Sequence, residues 1–141
     1  MKQSVSLAIL TAFGVGSFFV RAQGPASTRD GVYSDSQAAR GRAAYKTACS
    51  SCHGDNLQGS GAAMPPLAGD DFTGNWAGQT VDDLFERIQT SMPADHPGSL
   101  SRAVNADIVA YLLKTNKLPA GKTDLPSEAE PLKRIRFEAA K

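Results

Sequence analysis

Apolar residues recur with the period of an α-helix in three segments of the chain, residues 34–48, 80–92 and about 101–116. The apolar positions, in chain order, are Ala38, Gly41, Tyr45 and Ala48; Val81, Phe85, Ile88 and Met92; and Val104, Ile108, Tyr111 and Leu112. No segment shows a convincing strand alternation, and the sequence contains no visible internal repeat. The pattern therefore predicts an all-α fold built from short helices.

The first two predicted helices begin at residues with the spacing of a capping box. Ser34 stands three residues before Gln37, and Thr80 stands three residues before Asp83. In such a box the hydroxyl accepts from the backbone of the later residue, whose side chain reaches back. Pro93 ends the second helix, because it cannot donate the backbone hydrogen bond that a further turn needs.

A glycine-rich stretch separates these two helices. Residues 54–79 hold six glycines and the pair Pro65–Pro66, which is typical of an ordered loop. A loop of that length in a small domain usually serves a function or wraps around something. Short helices and such a loop also form a poor apolar core, so we expect another group to fill the centre.

The N-terminal residues have the pattern of a secretory signal peptide. Lys2 precedes an uncharged apolar run of 16 residues, Val5–Val20, and Ala22 stands at the end of a cleavage site before Gln23. An uncleaved anchor helix is the alternative, but a bilayer span needs roughly 20 residues. We therefore predict cleavage of residues 1–22 and a periplasmic protein with no stable membrane insertion.

Length, charge and cysteine content exclude several classes of protein. With 141 residues the chain has room for one domain, placed at residues 34–121 between a flexible leader at 23–33 and a C-terminal tail at 122–141. The 15 Lys and Arg residues balance 14 Asp and Glu, which indicates neither nucleic-acid binding nor a polybasic membrane patch. Two cysteines three positions apart cannot form a disulfide framework.

Those two cysteines form the motif C-x-x-C-H, the pattern of covalent haem attachment. Cys49 and Cys52, one helical turn apart, can reach the two vinyl groups of one porphyrin, and His53 then faces the iron. The motif predicts one haem c, covalently attached through both thiols. Export agrees with this prediction, because bacteria attach c-type haem after translocation.

Two other uses of the cysteines are weaker. A thioredoxin-like redox pair would need a surrounding β-α-β pattern, which the sequence lacks. A zinc site could combine Cys49, Cys52, His53 and His96, but adjacent Cys52 and His53 do not have the usual spacing of zinc ligands. Haem attachment is therefore our interpretation.

Over about residues 34–121 the chain resembles the class I cytochromes c. The motifs that carry the resemblance are Gly41-Arg42-Ala43-Ala44-Tyr45, Cys49 to Gly54, Met64-Pro65-Pro66-Leu67-Ala68-Gly69, Ser91-Met92-Pro93 and the helix Asp107 to Leu113. The amino-acid sequences of these motifs are also similar to those of cytochrome modules that accompany quinoprotein alcohol dehydrogenases. The resemblance implies a cytochrome c fold, with three to five short helices and ordered loops around one haem.

The resemblance also implies which residues bind that haem. Pro65 would accept a hydrogen bond from His53 Nδ1–H, and Leu67 would press on the haem face. Met92, at the end of the second predicted helix, would be the distal iron ligand, so His53 and Met92 would hold the metal. Trp76 would either donate a hydrogen bond to a haem propionate or simply pack.

Met64 and His96 are the alternative distal ligands. Met64 lies 11 residues beyond His53, whereas Met92 lies 39 residues on, which gives enough chain to cross to the far face. Met64 also precedes the proline turn that the resemblance places on the proximal side. His96 is better explained as a residue of a surface turn.

Two filled axial positions leave no site for dioxygen or peroxide, which predicts a one-electron carrier rather than an enzyme, with no catalytic residues. One alternative is a haem enzyme or gas sensor with an open coordination position. Another is a cytochrome subunit docked permanently on a quinoprotein dehydrogenase. The expected partners of a carrier are redox proteins, a dehydrogenase or an oxidase.

The distribution of charge gives one expectation about docking. Between Asp70 and Asp95 there are six acids and one base, Arg87. If this acidic stretch borders the exposed haem edge, the partner should carry a basic patch, and salt should slow the exchange of electrons.

Overall fold

The computed structural model describes residues 26–140. The predicted signal peptide, residues 1–22, and the first residues of the predicted leader lie outside this range. The elements, in chain order, are β1 (Ala26–Ser27), a 3₁₀ turn (Thr28–Asp30), α1 (Asp35–Ala48), α2 (Ser50–His53), α3 (Asp70–Trp76), α4 (Val81–Ser91), α5 (Arg102–Thr115), α6 (Ala129–Lys133) and β2 (Ile135–Arg136). The predicted all-α class is confirmed, and five of the six helices lie within residues 34–121.

The crossing of α1 and α5 is the centre of the fold. Gly41 lies against the backbone of α5, and a Cβ atom at this position would overlap the carbonyl oxygen of Asp107. Next to it the rings of Tyr45 and Tyr111 pack with their centroids 5.4 Å apart. The glycine thus brings the two helices close enough for their aromatic side chains to meet.

The caps of α1 and α4 differ. Thr80 and Asp83 form a complete capping box at the start of α4. At α1 only half of the box forms: Ser34 Oγ accepts from the Gln37 backbone at 3.1 Å. The Gln37 side chain instead donates to the Leu125 carbonyl at 2.9 Å and accepts from its N–H at 2.6 Å. Gln37, which the sequence predicts as part of the cap of its own helix, therefore binds the backbone of the C-terminal tail instead.

The tail and the leader hold each other. β1 and β2 pair in parallel, with Ala26 opposite Ile135. Thr28 Oγ1 donates to the Glu138 carbonyl at 2.8 Å and accepts from its N–H at 2.9 Å. Residues 26–33, for which the sequence predicts a flexible leader, are ordered here by contacts with residues that follow 85 to 111 positions later in the chain, among them Leu118, Gly121 and Glu138.

Buried side chains come from all the longer helices and from the tail. The largest of them are Tyr33, Tyr45, Phe85, Phe137, Leu57, Leu84, Ile108, Leu112, Leu113 and Leu132. The tail, predicted to pack over the surface, contributes fully buried residues to this core. Within residues 26–140, no helix has the length and apolar character needed to cross a membrane.

Candidate functional site

A single helical turn displays the cysteine and histidine side chains of the motif. α1 ends at Ala48, and α2 follows after Cys49, whose carbonyl accepts from the N–H groups of Cys52 (3.2 Å) and His53 (3.0 Å). Cys49 is half-buried, Cys52 is exposed, and both are free thiols. His53 is buried, with 8% of its surface exposed. The turn thus carries two accessible thiols beside an imidazole directed inward.

His53 has a fixed orientation. Its Nδ1 lies 2.8 Å from the carbonyl oxygen of Pro65. A carbonyl can only accept, so Nδ1 carries the proton and Nε2 is left as the unprotonated nitrogen. This is the arrangement in which a histidine is prepared to bind a metal through Nε2. It is also the contact that the resemblance to class I cytochromes implied.

Tyr45 fixes the end of the same turn. Its hydroxyl donates to the Gly54 carbonyl at 2.7 Å, directly after His53. Burial raises the pKa of Tyr45 far above its ordinary value, so the phenol remains a hydrogen-bond donor at any physiological pH. The turn that carries the motif is therefore tied to α1 at both its ends.

The loop that carries Pro65 and Leu67 is ordered by backbone and side-chain hydrogen bonds. Gly59 donates to the His53 carbonyl at 2.9 Å, and Leu67 donates to the Leu57 carbonyl at 2.9 Å. Asn116, at the end of α5, accepts from Gly69 N–H at 3.0 Å and donates to the Leu67 carbonyl at 3.0 Å. Nothing in the sequence singles out Asn116, because its partners lie almost 50 residues away.

A cavity of about 840 Å³ opens beside this turn. All seven residues predicted to contact the cofactor line it: Cys49, Cys52, His53, Pro65, Leu67, Trp76 and Met92. Side chains of the core, among them Phe72, Leu84, Ile88, Ile108 and Leu112, complete its apolar surface. Of these, Leu84 is missing from the apolar stripe assigned to the second helix, although its position three residues after Val81 and four before Ile88 fits that stripe.

The cavity fits a haem in shape and chemistry. A porphyrin needs a wide apolar space, two thiols for its vinyl groups and a nitrogen ligand for its iron. Cys49, Cys52 and His53 supply these groups from one side, and Met92 directly follows α4, with its N–H bonded to the Ile88 carbonyl at 3.0 Å. Met64 also lines the cavity, so the structure brings both candidate methionines to it.

The edge of the cavity carries few charges. Arg87 and Asp95 are its charged lining residues, and the other titratable ones are His96, Tyr45, His53 and the two thiols. His96 Nδ1 lies 3.2 Å from Asp95 Oδ2, and both side chains are 76% exposed. Because both side chains are so exposed, water and salt screen the interaction between them.

The thiols do not have the chemistry of a redox pair. Burial, with a smaller contribution from Cys52, raises the pKa of the Cys49 thiol to about 11. Reactive cysteines of the thioredoxin type instead have a lowered pKa. Between residues 26 and 140 no group of three or more His, Cys, Asp or Glu side chains is arranged to hold a metal ion.

Comparison with known proteins agrees with this geometry. Residues 36–112 match the family described as "Cytochrome C oxidase, cbb3-type, subunit III". The chain belongs to this cytochrome c family. Membership implies haem c as the cofactor and electron transfer as the function, and Cys49 and Cys52 are the thiols available to attach it.

Two individual proteins extend the comparison. This cytochrome is 36% identical over 80 residues to a thiosulfate dehydrogenase of Stutzerimonas stutzeri (strain A1501), covering 52% of this chain and 26% of that protein. It also resembles the structure of the sulfane dehydrogenase SoxCD from Paracoccus pantotrophus, with a TM-score of 0.50 and 25% identity, over 71% of this chain and 52% of the other. The chain thus spans only about a quarter and about half of these two proteins.

Proposed function

We propose that this cytochrome carries one haem c, with His53 and Met92 as axial ligands, and acts as a periplasmic one-electron carrier. The observation that supports this best is the 2.8 Å contact between His53 Nδ1 and Pro65 at the wall of the cavity. That contact leaves Nε2 as the nitrogen for iron, in a cavity lined also by both thiols and by Met92.

Each residue of the site has a role in this proposal. Cys49 and Cys52 hold the cofactor covalently, and His53 binds from the proximal side with its ring fixed by Pro65. Met92 supplies a thioether on the distal side, a soft ligand that favours the reduced iron. The bound haem supplies a one-electron couple between ferric and ferrous iron.

Leu67 and Trp76 complete the proposed site. Leu67 packs on the face of the macrocycle, because its backbone is held by Asn116 next to the cavity. Trp76 lines the cavity, and its indole N–H can donate to a propionate there.

The visible spectrum tests the ligand set. Ferric wild-type protein, exported from a host that attaches c-type haem, should show a weak red sulfur-to-iron band, and the ferrous form should be indifferent to carbon monoxide. Met92→Ala should lose this band and bind carbon monoxide, whereas Met64→Ala, which removes the other cavity methionine, should retain the wild-type spectrum. Rapid carbon monoxide binding by the wild type would favour the open-coordination enzyme or sensor instead.

A second candidate function is that of a subunit docked on a dehydrogenase. The two similar proteins named above are dehydrogenases that are longer than this chain, which favours such a partner. The size of the native protein decides between the two candidates: a carrier elutes as a free cytochrome, whereas a subunit elutes with a larger protein. If that larger protein is a quinoprotein, the fraction in which the cytochrome elutes with it should also contain a quinone cofactor.

We also propose that the isolated protein has no enzyme activity of its own. We expect thiosulfate to leave the ferric haem of the isolated protein oxidised, because the site provides no open iron position for a substrate. Rapid reduction by thiosulfate alone would make the chain a dehydrogenase in its own right.

Export is tested by the N-terminus of the mature protein. N-terminal sequencing should begin at Gln23, and fractionation should recover the haem protein from the periplasm. A mature chain that starts at Met1 and sediments with membranes would contradict the proposed cleavage.

A further inference from the structure

The C-terminal tail lies behind one wall of the cavity. This wall consists of Phe72 and Trp76, which line the cavity from the seven-residue helix α3. Phe137, from the tail, is fully buried and packs edge-on against Phe72, with ring centroids 6.1 Å apart. Phe72 in turn packs against Trp76 at 6.3 Å. The three rings form a row that runs from the tail to the cavity.

The tail also holds the backbone that follows α3. Gly78 N–H donates to the Phe137 carbonyl at 3.0 Å, and Phe137 N–H donates to the Gln79 carbonyl at 2.8 Å. The Arg136 guanidinium donates to the Gly78 carbonyl at 2.9 Å. The short segment between α3 and α4 is therefore hydrogen-bonded to the N–H and the carbonyl of Phe137 and to the Arg136 side chain.

α3 has little support of its own. Its N-terminal residue is preceded by Gly69, which offers no side-chain cap. Seven residues make about two turns, which is too short for a helix to be stable without packing. The position of Phe72 and Trp76 therefore depends on the side chains that pack against them, and Phe137 lies directly against Phe72.

The tail itself is fixed at both ends. Gln37 pairs with the backbone of Leu125, and Thr28 pairs with the backbone of Glu138. Between these anchors Leu132 and Ile135 are buried. The tail lies outside residues 36–112, which match the family, so this support belongs to the part of the chain that the family match leaves out.

We propose that Phe137 is a positioning residue that holds the Phe72–Trp76 wall against the haem and so keeps water from that side of the cofactor. The inference rests on the proposed function, since it assumes a haem in the cavity. Burial and polarity around a haem are among the factors that set its reduction potential. A wall that moves away admits water, which stabilises the more charged ferric form and lowers the potential.

The test compares Phe137→Ala with Phe137→Leu and with a control, Leu132→Ala, in the haem-loaded full-length protein. Leu132 is also fully buried in the tail, where it lies in α6. Neither residue lines the cavity itself, but Phe137 packs against the lining residue Phe72. The first measurement is the fluorescence of Trp76, the one tryptophan of the sequence, which a nearby haem quenches. The second is the reduction potential.

We expect Phe137→Ala to give stronger and red-shifted Trp76 emission and a lower potential, with wild-type helix content by circular dichroism. Phe137→Leu should recover most of both properties, because it keeps an apolar side chain behind Phe72. Leu132→Ala should lower the unfolding temperature and leave emission and potential unchanged.

Two results would overturn the inference. One is wild-type emission and potential in a folded Phe137→Ala protein. The other is an equal change in Leu132→Ala, which would mean that the tail contributes stability alone. Failure of the proposed function is a separate result, because the wild type would then carry no covalent haem.

Discussion

Individual polar side chains decide how the site is held. Asn116 is buried and uses both ends of its amide on the loop beside the cavity, accepting from Gly69 and donating to Leu67. It also donates to the Leu112 carbonyl at 2.8 Å. A buried amide that satisfies three backbone groups fixes their positions, because leaving any of them unpaired is costly.

Asn116→Ala should therefore destabilise the protein by about 2 kcal/mol, since the part-buried backbone groups of Leu67 and Gly69 lose their partner. The control is Thr115→Ala on the adjacent residue, whose hydroxyl bonds only the Tyr111 carbonyl within α5 and should cost about 0.5 kcal/mol or less. Urea unfolding followed by circular dichroism measures both. Equal losses in the two variants would argue against a specific role of Asn116.

Asp82 is a residue whose ionisation works against the fold. It is buried in the first turn of α4, and its Oδ1 has no hydrogen-bond partner in the structure. Burial, and then the nearby Glu86, raise its pKa, whereas Lys133 and Arg102 oppose the shift, and Asp83 adds slightly to it. The protonated form is therefore favoured in the folded state.

The stability that Asp82 contributes is fully present below its ordinary pKa, about 4, and is lost as the pH rises through its raised pKa in the folded protein. Asp82→Asn should consequently raise the unfolding midpoint at pH 7 and flatten its decline above about pH 4.

The neighbouring Asp83 is the control with the opposite sign. Its hydrogen bonds to Thr80 lower its pKa, so its contribution is present above pH 4 or so and is lost as the pH falls. Asp83→Asn should therefore lower the midpoint at pH 7. Thermal unfolding as a function of pH would contradict this account if both variants moved the midpoint in the same direction.

At the scale of the elements, local pattern predicts the long helices well and the short ones poorly. α1, α4 and α5 begin and end within a residue or two of the positions that their apolar stripes, capping residues and Pro93 indicate. α3 lies inside the glycine-rich stretch predicted as loop, because Phe72 and Trp76 give only one turn of apolar spacing. What stabilises this helix is Phe137, from the far end of the chain.

The remaining elements depend on the same long-range contacts. β1 and β2 have two residues each, and neither has a pattern of its own without the other. The residues of the candidate site were easier to predict, because C-x-x-C-H is continuous in sequence and each of its side chains has a specific chemistry. Asn116 and Phe137 act through contacts that only the folded chain creates.

The crossing of α1 and α5 gives the sharpest test of an element contact. Gly41→Ala should destabilise the protein by about 3 kcal/mol or prevent folding, because its Cβ would overlap the backbone of Asp107. Gly74→Ala is the control: Gly74 lies in α3 with open space at its Cβ position, and alanine there should stabilise the helix by about 0.5–1 kcal/mol. Chemical unfolding of both variants checks the difference. A mild effect of Gly41→Ala would mean that the helices can separate without loss.

At the scale of the whole molecule, the cavity explains why the apolar residues look too few. Part of the buried apolar cluster, including Phe72, Leu84, Ile108 and Leu112, lines a space of about 840 Å³. A cavity of this size lined by apolar groups is unfavourable when empty, because its lining atoms lose their contacts. The weak core expected from the sequence and the cavity in the structure are the same feature, and a haem in that space would complete the core.

The folded arrangement also changes the expectation about docking. Of the six acids between Asp70 and Asp95, Asp95 alone lines the cavity, and Arg87 lies there with it. Asp82 is buried, and Glu86 pairs with Arg102 at 2.8 Å. The acidic stretch therefore does not border the cavity as a block, and the charges of Arg87 and Asp95, which do line the cavity, are opposite in sign.

We accordingly expect electron exchange at this opening to depend little on salt. The rate with an anionic inorganic oxidant and the rate with a cationic one should each change by less than about twofold when ionic strength rises from about 10 to about 200 mM. A net local charge would instead give slopes of opposite sign for the two oxidants, because salt screens attraction for one and repulsion for the other. Stopped-flow oxidation of the ferrous protein measures both slopes.

Arg87→Gln is the informative variant, since it leaves Asp95 unbalanced at the opening. It should make the cationic oxidant faster at low salt and the anionic one slower, whereas the same change far from the cavity, Arg134→Gln, should alter neither rate. Strong opposite slopes in the wild type would restore the acidic docking surface that the sequence suggested.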